Sequence, residues 1–238
     1  MLRTVIWLIY FGLHTLFTLY HLLIVYILGA MDMKAEQEDR ISSTARNWAK
    51  ALIKVSGTQV EVFGAEHVPA DKSVLFVGNH QSDFDIPLYL GFIPGPKGFI
   101  AKIELSKAPV VSTWMTKMHC LFMDRKNLRQ SVTVMRQAVE YLKSGYSLVI
   151  FPEGTRSKSS AMLEFKRGSL SIAEKAGVPI IPVTVVDSYK ILEANKGFRI
   201  TPAYVEIHIS EPIYPADLPP DTDLAAHVRS IIASKLPA

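Results

Sequence analysis

The first 56 residues carry two different hydrophobic patterns. Residues 4–30 are almost wholly apolar and hold no formal charge. As a helix they would extend about 40 Å, more than the roughly 30 Å of a membrane's hydrocarbon core. Residues 33–56 instead repeat apolar side chains at the spacing of one helical face, with basic residues on the other faces. We therefore expect a membrane-associated segment of two helices at residues 1–56, followed by a globular domain at residues 57–238.

Both predicted helices have a competing interpretation. The first could be a removable signal peptide, but its apolar stretch is much longer than the apolar region of such peptides, and another helical pattern follows it. The second, which bears Trp48, could lie on a membrane or pack its apolar stripe on the domain core. The basic residues beside the apolar run are Arg3, Lys34, Arg40 and Arg46. Most of these basic residues follow the apolar run, and basic residues favour the cytoplasmic side of a membrane. The sequence thus predicts a cell-membrane protein whose domain lies on the cytoplasmic face.

From residue 57 onward, short apolar strands alternate with amphipathic helices. The predicted strands are 58–63 at an edge, 74–77, 99–101, 120–123, 147–151, 178–186 and 204–209. The predicted helices are 127–145, 168–175 and 221–236, the first with a capping box formed by Asn127 and Gln130. This alternation predicts an α/β fold with a layered, largely parallel sheet flanked by helices. Pro179 and Pro182 suggest that strand 178–186 is irregular or lies at an edge.

Composition narrows the class of protein. A chain of 238 residues suits one domain of ordinary size plus an appendage. The single cysteine, Cys120, excludes an intramolecular disulfide and a cysteine-rich zinc site, and its place in an apolar strand predicts a core residue. The formal charge of +4 suits anionic lipid or phosphate at least as well as nucleic acid. We expect no nucleic-acid partner, because the sequence has no basic run with interleaved aromatics and no known nucleic-acid module.

A candidate general base follows the predicted strand 74–77. His80 comes directly after a Gly-Asn break, and Asp85 lies five residues further on. Such a turn can fold the carboxylate back onto the imidazole, which fixes the tautomer and leaves the other ring nitrogen free to take a proton. Taken alone, the pattern favours the plainer interpretation, in which Asn79 or Asp83 caps a helix and His80 is a loop histidine without a catalytic role.

Charged residues also follow other predicted strands. They are Lys102, Arg125, and the run Glu153, Gly154, Thr155 and Arg156. The carboxyl ends of parallel strands share one edge of a sheet, so these residues would surround one crevice. Guanidinium groups suit a phosphate, and a glycine turn with a hydroxyl suits donation to an oxyanion. The alternative is a set of unrelated surface salt bridges.

The motifs that the sequence lacks also limit the chemistry. It contains no Gly-x-Ser-x-Gly elbow, Walker loop, dinucleotide fingerprint or His-Glu-x-x-His. A histidine base without an evident nucleophile, beside a phosphate site and a membrane anchor, indicates that the substrate supplies its own nucleophile. A hydroxyl on a phosphate-bearing lipid would serve, and no metal is implied.

Four segments resemble, in order, the four motif blocks of the glycerolipid acyltransferases: residues 79–85, 122–125, 151–157 and 178–183. The closest likeness is to the 1-acyl-sn-glycerol-3-phosphate acyltransferases, which act on lysophosphatidic acid. The resemblance implies that His80 is the general base and Asp85 its orienting acid. It implies a substrate-phosphate site formed by Lys102, Arg125, Glu153, Gly154, Thr155 and Arg156. Residues 165–168 resemble a further basic segment of the family.

The activity that the resemblance implies is transfer of a fatty acyl group from acyl-CoA or acyl-carrier protein to the sn-2 hydroxyl of lysophosphatidic acid, giving phosphatidic acid. No cofactor is implied beyond this acyl donor. Glycerol 3-phosphate or another lysophospholipid as acceptor fits the same motifs. A membrane-bound module that holds phospholipid without turnover would need the arginines but not the His80–Asp85 pair. In at least some members of the family the N-terminus resembles a two-helix membrane module, in agreement with the pattern at residues 1–56. The first helix would either span the bilayer or enter one leaflet.

Overall fold

The computed structural model describes residues 1–166 and 168–237, and strands from these ranges form one seven-stranded sheet in the order β1-β7-β6-β2-β5-β3-β4. The strands are β1 Gln59–Phe63, β2 Leu75–Gly78, β3 Gly98–Lys102, β4 Leu121–Met123, β5 Leu148–Ile150, β6 Ile180–Val186 and β7 Tyr204–Ile209. Every neighbouring pair is parallel except β6 with β7. The predicted α/β fold with a largely parallel sheet is confirmed, and five adjacent strands, β6 to β4, end at the same edge.

Helices cover both faces of this sheet. They are α1 Leu2–Ala30, α2 Lys34–Ser56, α3 Asp85–Phe92, α4 Pro109–Lys117, α5 Leu128–Lys143, α6 Ser171–Ala176 and α7 Leu224–Ala233. Successive side chains of a strand point to opposite faces, so β2 serves two cores. Phe76 packs in the core formed with α2, α3 and α4, whereas Leu75 and Val77 pack in the core formed with α5, α6 and α7. Strands buried on both faces explain why β2, β5 and β6 are continuous apolar runs.

The two N-terminal helices lie antiparallel and pack against the domain. Arg3 Nη1 near one end of α1 donates to the Ser56 carbonyl at 2.9 Å, and Gln37 Nε2 donates to the Val25 carbonyl near the other end at 2.7 Å. The stripe of α2 is largely buried, with Leu52 and other residues in contact with α1 and α3. Of the two interpretations of α2, the structure therefore supports packing on the core.

Helix α1 differs from the other described helices in its apolar surface. It is the one described helix that is long and apolar enough to cross a membrane, with a mean hydropathy of 1.7 over its most apolar window. Only 17% of that window is buried. Its exposed apolar residues include Leu13, Phe17, Tyr20 and Leu23. The division of the chain at residue 57 coincides with the end of α2 and stays a prediction.

The position predicted for strand 178–186 was wrong. Strand β6 is regular and lies between β7 and β2, away from both edges of the sheet. The sheet tolerates Pro182 because the antiparallel ladder with β7 begins at the next residue, where Val183 pairs with Ile209. Pro182 still contributes its carbonyl, which accepts from Ser210 N at 2.9 Å.

Candidate active site

A buried carboxylate holds the predicted base. His80 follows the end of β2, Asp85 begins α3, and His80 Nδ1 lies 2.7 Å from Asp85 Oδ2. The same oxygen accepts from the backbone N–H groups of Gln81 at 2.7 Å and Ser82 at 2.9 Å. Because an ionised carboxylate only accepts hydrogen bonds, Nδ1 carries the proton and donates. This leaves Nε2 of a ring that is only 16% exposed as the nitrogen able to accept a proton.

The turn that carries His80 is fixed by Asn79, which does not cap a helix. The buried Asn79 side chain donates from Nδ2 to the Val185 carbonyl and accepts from Val185 N on Oδ1, both at 2.8 Å. Helix α3 has Phe84 at its N-cap, without a side-chain cap. The helix-cap alternative for this motif is therefore wrong, and the side chain instead closes the gap between β2 and β6.

Two aromatic rings pack beside the imidazole of His80. His80 stacks on Phe151 with ring centroids 4.2 Å apart, and Tyr89 meets Phe151 edge-on at 5.3 Å. The Tyr89 hydroxyl is buried without a hydrogen-bond partner in the described part of the chain. Burial, reinforced by the charges of Asp85 and Glu153, raises the pKa of Tyr89, so the phenol stays neutral.

Glu153 lies behind the site and faces backbone groups. Its Oε1 accepts from His80 N at 2.6 Å and its Oε2 accepts from Leu163 N at 2.8 Å. Burial raises the pKa of Glu153, and these two N–H donors oppose that effect. The carboxylate thus ties the His80 turn to the loop before α6, a different place from the phosphate contact implied by the resemblance.

One cavity of about 370 Å³ brings most of the predicted site residues together. His80, Lys102, Arg125, Thr155 and Arg156 all line it. They come from the carboxyl ends of four adjacent parallel strands, β2, β3, β4 and β5, as the strand pattern predicts. His80 and both arginines therefore border the same cavity.

Gly154 shapes the loop beside this cavity. Its φ of +72° is in the region that favours glycine, and its carbonyl accepts a hydrogen bond from Arg125 Nη1. A Cβ at this position would lie 2.7 Å from Lys166 Nζ, so the lysine of segment 165–168 rests directly on the turn. Arg167 of that segment lies outside the described residues.

Arg156 is held by two carboxylates. Its Nη1 pairs with Asp83 and, at 3.0 Å, with Glu193 Oε1. The remaining Nε and Nη2 donors of the guanidinium are not used in these pairs. Sequence reasoning missed Glu193, because only the position of β6 beside β2 shows that the segment after β6 reaches this site.

Few backbone N–H groups near His80 remain available for an oxyanion. His80 N donates to Glu153, and Gly154 N donates to the Phe151 carbonyl at 3.0 Å. In the described structure, the backbone N–H groups of Thr155 and Arg156 have no hydrogen-bond acceptor. The backbone N–H groups of Thr155 and Arg156 are therefore the candidate donors to an oxyanion beside Gly154.

The interior of the cavity is apolar and extends to the N-terminal helices. Its lining includes Ile86, Leu90, Phe99, Val111, Met115 and Met118. Two tryptophans on this lining are fixed by threonines of α1: Trp48 Nε1 donates to Thr15 Oγ1 at 3.1 Å, and Trp114 Nε1 donates to Thr18 Oγ1 at 2.9 Å. Sequence reasoning missed this role of α1, since its residues join the site only through tertiary packing.

Cys120 lies on the wall of the cavity as a buried side chain. Burial raises the pKa of its thiol to about 12, so the group is neutral at physiological pH. The prediction of a core residue is confirmed. Within residues 1–166 and 168–237, no three His, Cys, Asp or Glu side chains are grouped so as to hold a metal ion.

Comparison with known proteins shows similarity to acyltransferases. A family model described as Acyltransferase matches residues 59–186. A probable 1-acyl-sn-glycerol-3-phosphate acyltransferase of Mycoplasma pneumoniae is 42% identical over 165 residues, which cover 65% of this chain and 59% of that protein. The human 1-acyl-sn-glycerol-3-phosphate acyltransferase alpha is 34% identical over 168 residues, which cover 69% of this chain and 58% of the relative. The chain thus spans about three fifths of the length of these relatives.

A solved structure matches over nearly the whole chain. The crystal structure of the 1-acyl-sn-glycerophosphate (LPA) acyltransferase PlsC from Thermotoga maritima matches with a TM-score of 0.88 and 31% sequence identity. The match covers 98% of this chain and 92% of that one, so it includes the N-terminal helices as well as the sheet.

Proposed function

The chain belongs to the Acyltransferase family, and from this premise we propose that it transfers a fatty acyl group from acyl-CoA or acyl-carrier protein to the sn-2 hydroxyl of lysophosphatidic acid, giving phosphatidic acid. The observation that carries the proposal is one cavity that joins a carboxylate-held histidine, phosphate-suited cations and an apolar interior. The names of the relatives support lysophosphatidic acid as the acceptor. We propose no cofactor beyond the acyl carrier.

The base in this reaction is His80. Free imidazole titrates near pH 6.5, far below an alcohol, so Nε2 accepts the hydroxyl proton while the C–O bond to the thioester carbonyl forms. Asp85 stabilises the resulting imidazolium through the 2.7 Å contact. Collapse of the tetrahedral intermediate breaks the C–S bond, and the imidazolium returns its proton to the departing thiolate. No acyl-enzyme is needed.

The negative charge of the tetrahedral intermediate falls on the former carbonyl oxygen. We assign its stabilisation to the backbone N–H groups of Thr155 and Arg156, which have no other described acceptor and belong to residues that line the cavity. His80 N is unsuited to this role because it already donates to Glu153.

The phosphate of the acceptor is assigned to Lys102, Arg125 and Arg156, with Thr155 as a hydroxyl donor. Arg156 keeps Nε and Nη2 for the ligand while Nη1 remains on its carboxylate partners. Glu153 takes a positioning role here, since both of its oxygens accept backbone N–H groups. A buried carboxylate in that orientation adds no direct contact to an anion.

The acyl chain of the donor is assigned to the apolar interior. The thioester carbonyl must lie beside His80, and the cavity continues from that ring to α1, α2 and α4. The chain of the acceptor can then remain among the membrane lipids.

Helix α1 is proposed to lie with its exposed face in the membrane instead of crossing it alone. It contacts the rest of the protein from Arg3 to Val25, a length of about 33 Å at 1.5 Å per residue. Thr4 Oγ1 accepts from Ile200 N, and Thr18 accepts from Trp114, so a bilayer-spanning α1 would pull the sheet domain into hydrocarbon. The domain is proposed to face the cytoplasm at the cell membrane.

Replacing His80 by Ala removes the base. We expect turnover of lysophosphatidic acid to fall on the order of 10²–10⁴-fold, while binding of lysophosphatidic acid in detergent micelles stays close to that of the wild type. The control is His227→Ala on α7, which packs on the other face of the sheet. Turnover retained in His80→Ala would contradict the catalytic assignment and favour a binding module.

Replacing Arg125 by Ala removes a charged donor to the phosphate. A hydrogen bond to a charged group contributes about 1.5–3 kcal/mol, so kcat/KM for lysophosphatidic acid should fall roughly ten- to a hundredfold. The loss should be much smaller with monoacylglycerol, which lacks the phosphate. Arg129→Ala, at an exposed position on α5 outside the cavity, is the matched control. An equal loss with both acceptors would rule out a phosphate contact at Arg125.

Replacing Ala45 by Leu narrows the interior of the cavity. Ala45 lies on α2 and lines the cavity beside Trp48, so the added atoms should exclude long acyl chains by overlap. The ratio of kcat/KM for stearoyl donor to that for lauroyl donor should decrease at least severalfold in a radiolabel transfer assay. The lauroyl donor serves as the internal control, and an unchanged ratio would place the chain elsewhere.

Replacing Leu13 and Phe17 together by Gln makes the exposed face of α1 polar without touching its packed face. Each side chain is more than half exposed, so folding should be preserved while binding to phosphatidylglycerol-containing vesicles weakens at least tenfold in sedimentation assays. Val132→Gln, on the solvent side of α5, should leave vesicle binding unchanged. Full vesicle binding by the α1 double variant would argue against this membrane face.

A further inference from the structure

A fifth strand end contributes to the site. Strand β6 is parallel to β2 and adjacent to it, so its carboxyl end lies at the edge that carries His80. The chain turns there through Asp187 at φ +67° and forms a short 3₁₀ turn at Ser188–Ile191. Two polar residues after this strand are buried: Ser188 is fully buried and the side chain of Glu193 is 5% exposed. Buried polar groups of this kind need partners, and both find them in the site.

Ser188 holds the oxygen of the orienting acid that the other donors leave free. His80, Gln81 and Ser82 all donate to Oδ2 of Asp85. Ser188 Oγ donates to Oδ1. Among the described residues, Ser188 is the side-chain donor to Oδ1, so its hydrogen bond fixes the plane of the Asp85 carboxylate. The direction of the hydrogen bond between Asp85 and His80 depends on that plane.

Glu193 orders the opposite side of the His80 turn. Its Oε2 accepts from Ser82 Oγ at 2.6 Å, and its Oε1 accepts from Asp83 N at 3.0 Å. The same Oε1 accepts from Arg156 Nη1 at 3.0 Å. This buried carboxylate therefore supports the turn, and it shares Nη1 of Arg156 with Asp83.

We propose that Ser188 and Glu193 are positioning residues with separate tasks: Ser188 holds Asp85 for the proton transfer, and Glu193 presents Arg156 to the phosphate of the acceptor. This inference rests on the proposed function. The His80–Asp85 pair gains strength only as the imidazolium forms, so loss of Ser188 acts on kcat. The contact of Arg156 with the phosphate exists before and during the reaction, so loss of Glu193 acts on KM.

The test measures steady-state acyl transfer by the full chain in detergent micelles, with lysophosphatidic acid and with monoacylglycerol. Ser188→Ala should lower kcat about tenfold with both acceptors and leave KM nearly unchanged, as expected for the loss of one charge-assisted hydrogen bond. Glu193→Ala should raise KM for lysophosphatidic acid about tenfold and change kinetics with monoacylglycerol much less.

Two further variants control for folding. Glu193→Gln keeps the shape of the side chain and should give an intermediate rise in KM, so the test stands even if Glu193→Ala is unstable. Lys190→Ala removes only an exposed ion pair with Asp187 in the same segment and should match the wild type. Thermal melting measured by circular dichroism gives the folded fraction, to which all rates are normalised.

The outcomes are distinct. The separate positioning roles are overturned if Ser188→Ala and Glu193→Gln have the same effect on kcat and KM with both acceptors. They are also overturned if neither variant changes kcat or KM. In both cases the activity of the wild type stands. If the wild type forms no product from lysophosphatidic acid, the proposed function is overturned and this inference falls with it.

Discussion

The site depends on a fully buried carboxylate whose charge is compensated by donors from two parts of the chain, residues 80–82 and Ser188. Asp85 accepts from an imidazole, two backbone N–H groups and the hydroxyl of Ser188. An ionised carboxylate without such partners would be very costly inside a protein. These hydrogen bonds fix the conformation of the turn, because His80 can move only if Asp85 loses hydrogen bonds. A fixed imidazole follows from the need to satisfy a buried charge.

The direction of the strands brings the other groups to this base. In a parallel sheet each strand delivers the residue after its carboxyl end to the same edge, and here five neighbouring strands do so. Strands β7 and β1, which are parallel to each other and run opposite to the other five, extend the sheet on one side without adding a residue to the cavity. Lys102, Arg125 and Arg156 thus lie near His80. Glu193 also reaches this site, although it is separated from His80 by about half of the chain.

The sequence predicted those residues that a local pattern and a strand direction determine. His80, Lys102, Arg125 and Arg156 each come within a few residues of the end of an apolar run. The edge of the sheet at which they lie could therefore be predicted without coordinates. The order of strands depends on pairing between distant segments, and for this reason the central position of β6 and the role of Ser188 were missed. The orientation of Glu153 was also out of reach, since it is set by the backbone N–H of Leu163 in a loop without regular structure.

Helix α1 illustrates why an apolar pattern alone is ambiguous. A helix that is hydrophobic on every side is buried in protein or in lipid, and α1 packs one face on the protein while its other face is exposed. One face carries the threonines that fix Trp48 and Trp114 at the cavity, whereas the other exposes Leu13 and Phe17. The same helix therefore borders the apolar cavity and bears an exposed apolar surface. In the proposed function, docking on a membrane and admission of an acyl chain would both depend on this helix.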